Sequence, residues 1–256
     1  MRTLAILGLI LALGCGSAFA QAENPAFSRG NEAYVEAEKC SDESEAKELY
    51  LKAAESYEEA IRTGGDSWEA HYNLGNARFR IGDFGLAALQ YKRAIAIDPQ
   101  RPEAALNLSL ARQAAGLSPQ RQAHWLENWG TRLPMKMWMW TGMFAGWTFL
   151  ALLVLPFLHG GHRLVTVAGA LATLALLAAC AGGMLGWHLN AQWLTVIGAD
   201  AALRSAPDAE ASSVRSLKAA EELSPLRSHA EWTFVRDEEG GEGWVHAQDV
   251  GKVWNR

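Results

Sequence analysis

The chain has 256 residues, with 23 Lys and Arg against 28 Asp and Glu for a formal net charge of -5. That balance gives no basic footprint for DNA or RNA, so nucleic acid is not expected as a partner. Apolar residues divide the chain into an apolar leader (1–20), a charged Ala-rich tract (24–116), an almost uncharged block (137–187) and a mixed polar tail (194–256). Each of the two polar zones is short enough to hold only one modest core.

The leader starts with Met1 and Arg2, continues through the apolar run Leu4 to Leu13 and ends in Ala18-Phe19-Ala20. This is the pattern of a secretory signal peptide over residues 1–20. Cys15 lies in the leader and Cys180 in an apolar stretch, which leaves Cys40 as the one thiol of the polar zones, so no intrachain disulfide is expected.

Between 24 and 116 the sequence repeats with a period of 34 residues: Ala53 matches Ala87, Tyr57 matches Tyr91, Ala60 matches Ala94, Asn73 matches Asn107, Leu74 matches Leu108 and Gly82 matches Gly116. A period of this length made of paired helices marks a solenoid, and Leu74, Gly75, Ala87, Tyr91, Ala94 and Pro99 resemble the tetratricopeptide (TPR) consensus. The first helix is expected from Ala26 to Lys39, then a polar loop at Ser41 to Ser44, with Asp42 and Glu45 as a capping box for the second helix. After Pro102 to Ala115 the pattern stops, so the expectation is two repeats and a capping helix. The resemblance implies that partner segments bind on the concave face of the first helices. Asn31, Asn73, Asn76 and Asn107 are the candidates for that peptide-binding groove, although Asn73 and Asn76 match the consensus whatever is bound. Glu69, Tyr72 and Glu103 stand where some relatives carry a basic clamp for a C-terminal carboxylate, so no such clamp is expected.

A juxtamembrane segment (117–136) leads to two expected transmembrane helices at 137–158 and 164–187, joined by a cytoplasmic turn at 159–163. Each is long enough to cross about 30 Å of hydrocarbon. With an exporting leader, both polar zones fall on the periplasmic side of the bacterial inner membrane. Trp125, Trp129, Trp138, Trp140, Trp187 and Trp193 cluster near the outer ends of the spans, where indoles prefer to sit.

From Trp193 short apolar segments alternate with turns, a strand pattern over residues 194–256. Ala201 to Pro207 and Gly243-Trp244-Val245 resemble the opening and closing motifs of the bacterial SH3-like (SH3b) domain. Val214 to Leu226 departs from that pattern, with a helix-like composition at Leu217 to Leu223. Trp232 and Trp244 either line a ligand site, in a domain type that often binds cell-wall peptides or proteins, or belong to the barrel core.

No phosphate loop, nucleophile elbow, metalloprotease helix or Cys-x-x-Cys pair is present, so neither an enzyme, a metal nor a cofactor is expected. The fold expected is multidomain: an α-solenoid, a two-helix transmembrane hairpin and a small all-β SH3-like barrel. The order of these zones resembles the E-type protein of the Bacteroides-aerotolerance (Bat) operons. That resemblance implies a membrane scaffold acting beside von Willebrand A-domain proteins and a MoxR-type ATPase in envelope or oxidative stress tolerance. The alternatives are a sensor that binds peptidoglycan through the SH3-like domain and a client-holding factor in cytochrome maturation.

Overall fold

A computed structural model describes residues 24–64, 66–119, 125–159, 163–198 and 201–253. The expected leader and residues 160–162 of the turn lie outside them.

Five helices form the array: α1 (Pro25–Lys39), α2 (Glu43–Arg62), α3 (Trp68–Arg80), α4 (Phe84–Ile97) and α5 (Pro102–Ala114). Their ends follow from local chemistry. Asn24 caps α1 by accepting from Ala26 N, with Pro25 in the first turn. Asp42 caps α2 through Ser44 N and Glu45 N, while the Glu45 carboxylate accepts from the Cys40 thiol at 3.2 Å. Gly82 and Gly116, 34 residues apart, both take positive φ (90° and 75°) and close α3 and α5 with the same backbone bonds, Asp83 N to Arg78 O and Leu117 N to Arg112 O. A side chain at either glycine would be strained there.

Two glycines set how closely paired helices approach. A Cβ on Gly30 would stand 2.6 Å from the Tyr57 ring, and one on Gly75 would stand 2.7 Å from the Tyr91 ring. Gly30-Asn31 and Gly75-Asn76 are therefore equivalent positions. Gly30 precedes Tyr57 by 27 residues, whereas Gly75 precedes Tyr91 by 16, so the first hairpin is the second one lengthened at its tip. Ala53, Ala54, Tyr57, Leu74 and Ala77 form one core cluster of the array.

The helix α6 (Trp125–Gly130) precedes two long helices, α7 (Met135–His159) and α8 (Arg163–Ala191). Within them Met135–Val154 and Thr166–Asn190 are long and apolar enough to cross a membrane, and only 11% of each apolar window is buried within the protein. The core helices of a soluble protein would be covered; these present Trp140, Phe144, Trp147, Leu150 and Leu171 outward, a surface that fits a bilayer. Trp138 is buried in the seam and donates through Nε1 to Gly130 O at 2.9 Å, tying α6 to the hairpin.

Seven strands follow among the described residues: β1 (Leu194–Val196), β2 (Ala202–Arg204), β3 (Ser213–Ser216), β4 (Glu222–His229), β5 (Trp232–Arg236), β6 (Glu242–His246) and β7 (Val250–Lys252). They form one antiparallel sheet in the order β3-β2-β6-β5-β4-β1-β7 around a core of Leu194, Val196, Leu203, Leu217, Leu223, Val235 and Val245. The helix-like composition of Leu217 to Leu223 misleads, because the segment is a turn entering a strand. Ala220 has a φ of 64°, and Leu217 and Leu223 both fill the barrel. Tertiary burial overrides the propensity of Ala219-Ala220-Glu221-Glu222.

The sheet also finishes the array. Ala220 joins Ala87, Ala88, Tyr91 and Ala111 in a second helical core, and a Cβ on Gly85 would meet Val196 O at 2.5 Å. The SH3-like sheet thus covers the surface of α4 and α5 that a third partner helix would otherwise bury. The expected capping helix α5 is itself capped.

Candidate functional site

The array places the four candidate asparagines on one surface, as two copies of one hydrogen-bonded unit. Asn31 Oδ1 accepts from the Tyr57 hydroxyl at 2.9 Å and from Asn73 Nδ2 at 3.3 Å. Asn76 Oδ1 accepts from the Tyr91 hydroxyl at 2.8 Å and from Asn107 Nδ2 at 2.9 Å. Each unit joins a first helix, its partner helix and the next first helix. The ladder is part of what holds the array in register, and burial pushes the Tyr57 and Tyr91 phenols above their ordinary range.

Above the second unit, between α1, α3 and α5, lies a cavity of about 270 Å³. Tyr34, Phe79 and Leu110 give it apolar walls, Asn76 and Asn107 give it amides, and Arg80 stands at its side. The Arg80 guanidinium is 3.5 Å from Glu38 Oε1 and lies over the Tyr50 ring. Leu106 and Leu110, one turn apart on α5, are 59% and 44% exposed, so the groove wall is apolar and open. Phe79, Arg80 and Leu110 were not singled out from the sequence. The signal for them was helical spacing: they follow Asn76 and Asn107 by three or four residues and so share their face.

On the SH3-like sheet, Trp232 and Trp244 lie on the face away from Val235 and Val245, Trp232 half-buried and Trp244 buried at 8% exposure. Strand alternation places Val235 and Val245 inward, which turns Trp232, Phe234, Trp244 and His246 outward. Phe234 and Trp244 lie 5.2 Å apart, and Trp232 meets the His246 ring edge-on at 4.9 Å. The Arg227 guanidinium sits over both members of the first pair, 4.7 Å from Phe234 and 5.1 Å from Trp244. His229 approaches Trp244 at 6.5 Å. The two ring pairs share one face of the sheet as an aromatic platform, with the half-buried Phe234 and Trp232 at its surface, Trp244 buried, and the Arg227 cation over the Phe234–Trp244 pair.

A third constellation joins the two domains. Arg112 is 1% exposed, and its Nη2 donates to both Glu238 oxygens at 2.9 and 3.0 Å. Its Nη1 donates to Ala220 O at 3.1 Å and lies 3.7 Å from Glu222 Oε1. Lys92 Nζ donates to Thr195 Oγ1 at 3.2 Å and lies 3.6 Å from Glu222 Oε2. Arg93 donates to Lys252 O and Val253 O, and burial pulls its pKa down. The groove and the platform are therefore carried on one connected body rather than on independent modules.

Comparison with known families agrees with both halves. Residues 45–102 match the tetratricopeptide repeat family, and residues 198–252 match the bacterial SH3 domain family. No curated protein matches the chain.

Proposed function

We propose that this chain is a membrane-anchored scaffold on the periplasmic face of the inner membrane, where its helical groove holds extended segments of partner proteins. The observation that carries this reading is the cavity beside Asn76 and Asn107. It has room for one large side chain, apolar walls at Phe79 and Leu110, and amides beside it that suit a peptide backbone. The role is binding rather than catalysis. The Bat resemblance favours von Willebrand A-domain membrane proteins as occupants, with a MoxR-type ATPase in the same system, in envelope or oxidative stress tolerance. Crosslinking in intact cells, detergent extraction and pull-down through a C-terminal tag test it. Enrichment of von Willebrand A-domain proteins over a tag-only control is expected, and recovery of haem-maturation proteins instead would contradict the partner assignment.

A second reading rests on the aromatic platform: the SH3-like domain binds peptidoglycan, and the array passes that contact to a partner. Sedimentation of the full-length protein with purified sacculi tests this reading.

A further inference from the structure

We propose that the outer face of β4, β5 and β6 is a carboxylate site, with Arg227 as its anchor and a cell-wall stem peptide as its occupant. This rests on the wall-binding reading and names the chemistry of its site.

The four described arginines of the SH3-like domain differ in what they hold. Arg204 donates to Ala209 O and Ala211 O. Arg215 pairs with Glu221 and Asp237, and Arg236 pairs with Glu242 at 2.6 Å. Arg227 is exposed and, among the described residues, its guanidinium has ring contacts but neither an ion pair nor a hydrogen bond. A guanidinium lying over aromatic rings keeps its N–H donors available around its edge, in a fork that matches a carboxylate. The rings also hold it in place, so little side-chain freedom is lost on binding. On this face Arg236 and His246 each already stand against a carboxylate, so Arg227 is the cation left to meet an incoming anion.

The surroundings narrow the class of anion. The half-buried Phe234 lies 4.7 Å beneath Arg227 and offers apolar contact beside the cation, and the half-buried Trp232 follows two residues away on the same face of β5. His229 faces the same surface, while His246 is already engaged by Glu231 at 3.3 Å and the next row is closed by Arg236 with Glu242. The platform thus pairs one open charge with apolar ring surface. Stem peptides of the wall carry free carboxylates beside small methyl-bearing side chains, and that alternation fits the arrangement: carboxylate on Arg227, methyl groups on the rings.

The test uses the full chain in lipid nanodiscs. Two probes are titrated, a synthetic stem pentapeptide with free carboxylates and the same peptide with every carboxylate amidated, alongside sedimentation with intact sacculi. The expected result is that the amidated peptide binds about tenfold more weakly, and that Arg227→Gln abolishes the difference while Arg227→Lys restores part of it. Arg236→Gln, which opens an existing pair, leaves both affinities unchanged. If sacculi bind but acid and amide peptides are indistinguishable, or Arg227→Gln binds like the parent, the carboxylate site is wrong and wall binding stands. Failure of sacculi and both peptides to bind removes both readings.

Discussion

Arg112 on α5 and Glu238 in the turn after β5 form a bidentate ion pair, at 2.9 and 3.0 Å, between residues 126 positions apart. The arginine side chain is 2% exposed and the glutamate 21%. Removing the cation would leave Lys92 as the cation beside Glu222, and Glu238 with the Glu222 backbone N–H but without its ion pair. Breaking one side of a buried pair typically costs about 3–5 kcal/mol. Arg112→Met is therefore expected to lower stability by about 3 kcal/mol and to split one thermal unfolding transition into two, as the sheet separates from the helices. Glu238→Gln keeps an acceptor and costs less. Calorimetry of the detergent-solubilised protein checks both, and an unsplit transition in Arg112→Met would show that the domains hold together without the pair.

Gly75→Ala places a methyl group 2.7 Å from the Tyr91 ring. The helices must separate or the ring must turn, and overpacking of this kind costs about 1–3 kcal/mol. Gly30→Ala meets Tyr57 in the same way, so the two variants are expected to destabilise alike in thermal melts followed by circular dichroism. Ala at Gly64, where nothing stands within 4 Å of the added Cβ, brings no clash, although its φ of 104° adds backbone strain.

The phenols of the ladder make a prediction about alkali. Burial raises the pKa of Tyr57 and Tyr91, so the folded array holds its protons where an unfolded chain gives them up. Their contribution is complete below about pH 10, the ordinary tyrosine value, and is lost as pH rises beyond it. Melting temperatures measured between about pH 8 and pH 11 should fall more steeply for the parent than for Tyr57→Phe with Tyr91→Phe. At neutral pH each Phe variant loses one hydroxyl bond and about 1 kcal/mol. Equal slopes would mean that the hydroxyls are solvated in the folded protein.

What the sequence made legible follows from how local each signal was. The 34-residue period located the second repeat, and the uncharged runs located both apolar helices, because each pattern lies within one or two elements. The first helix and Asn31 were also legible, but the equivalence of Gly30-Asn31 with Gly75-Asn76 was not, since the longer first hairpin moves them out of the 34-residue step. Of the platform, the sequence singled out Trp232 and Trp244 but left open whether they line a site or belong to the core, because alternation tells which face a residue takes and not how far it is covered there, as the 8% exposure of Trp244 shows. Arg227 was not singled out, because a register shift between Pro225 and Arg227 decides which face it takes. The junction at Arg112 could not be found at all, as Ala220 and Glu238 are brought to it only by the docking of one domain on the other.

The groove predicts which surface a partner touches. Leu110→Glu puts a charge into an apolar wall without disturbing the buried ladder, so it should weaken partner capture at least about tenfold while leaving the fold intact. A matched change at Leu51, which is exposed on α2 and outside the cavity lining, should have no effect.

The most direct measurement replaces Leu110 with a photocrosslinking amino acid in the full-length protein in living cells, with the same probe at Leu51 as control. The scaffold account predicts a discrete protein adduct at Leu110 that is missing at Leu51 and reduced by Asn107→Ala. No adduct at Leu110, or the same adducts at both positions, would contradict the claim that the helical groove is the binding surface.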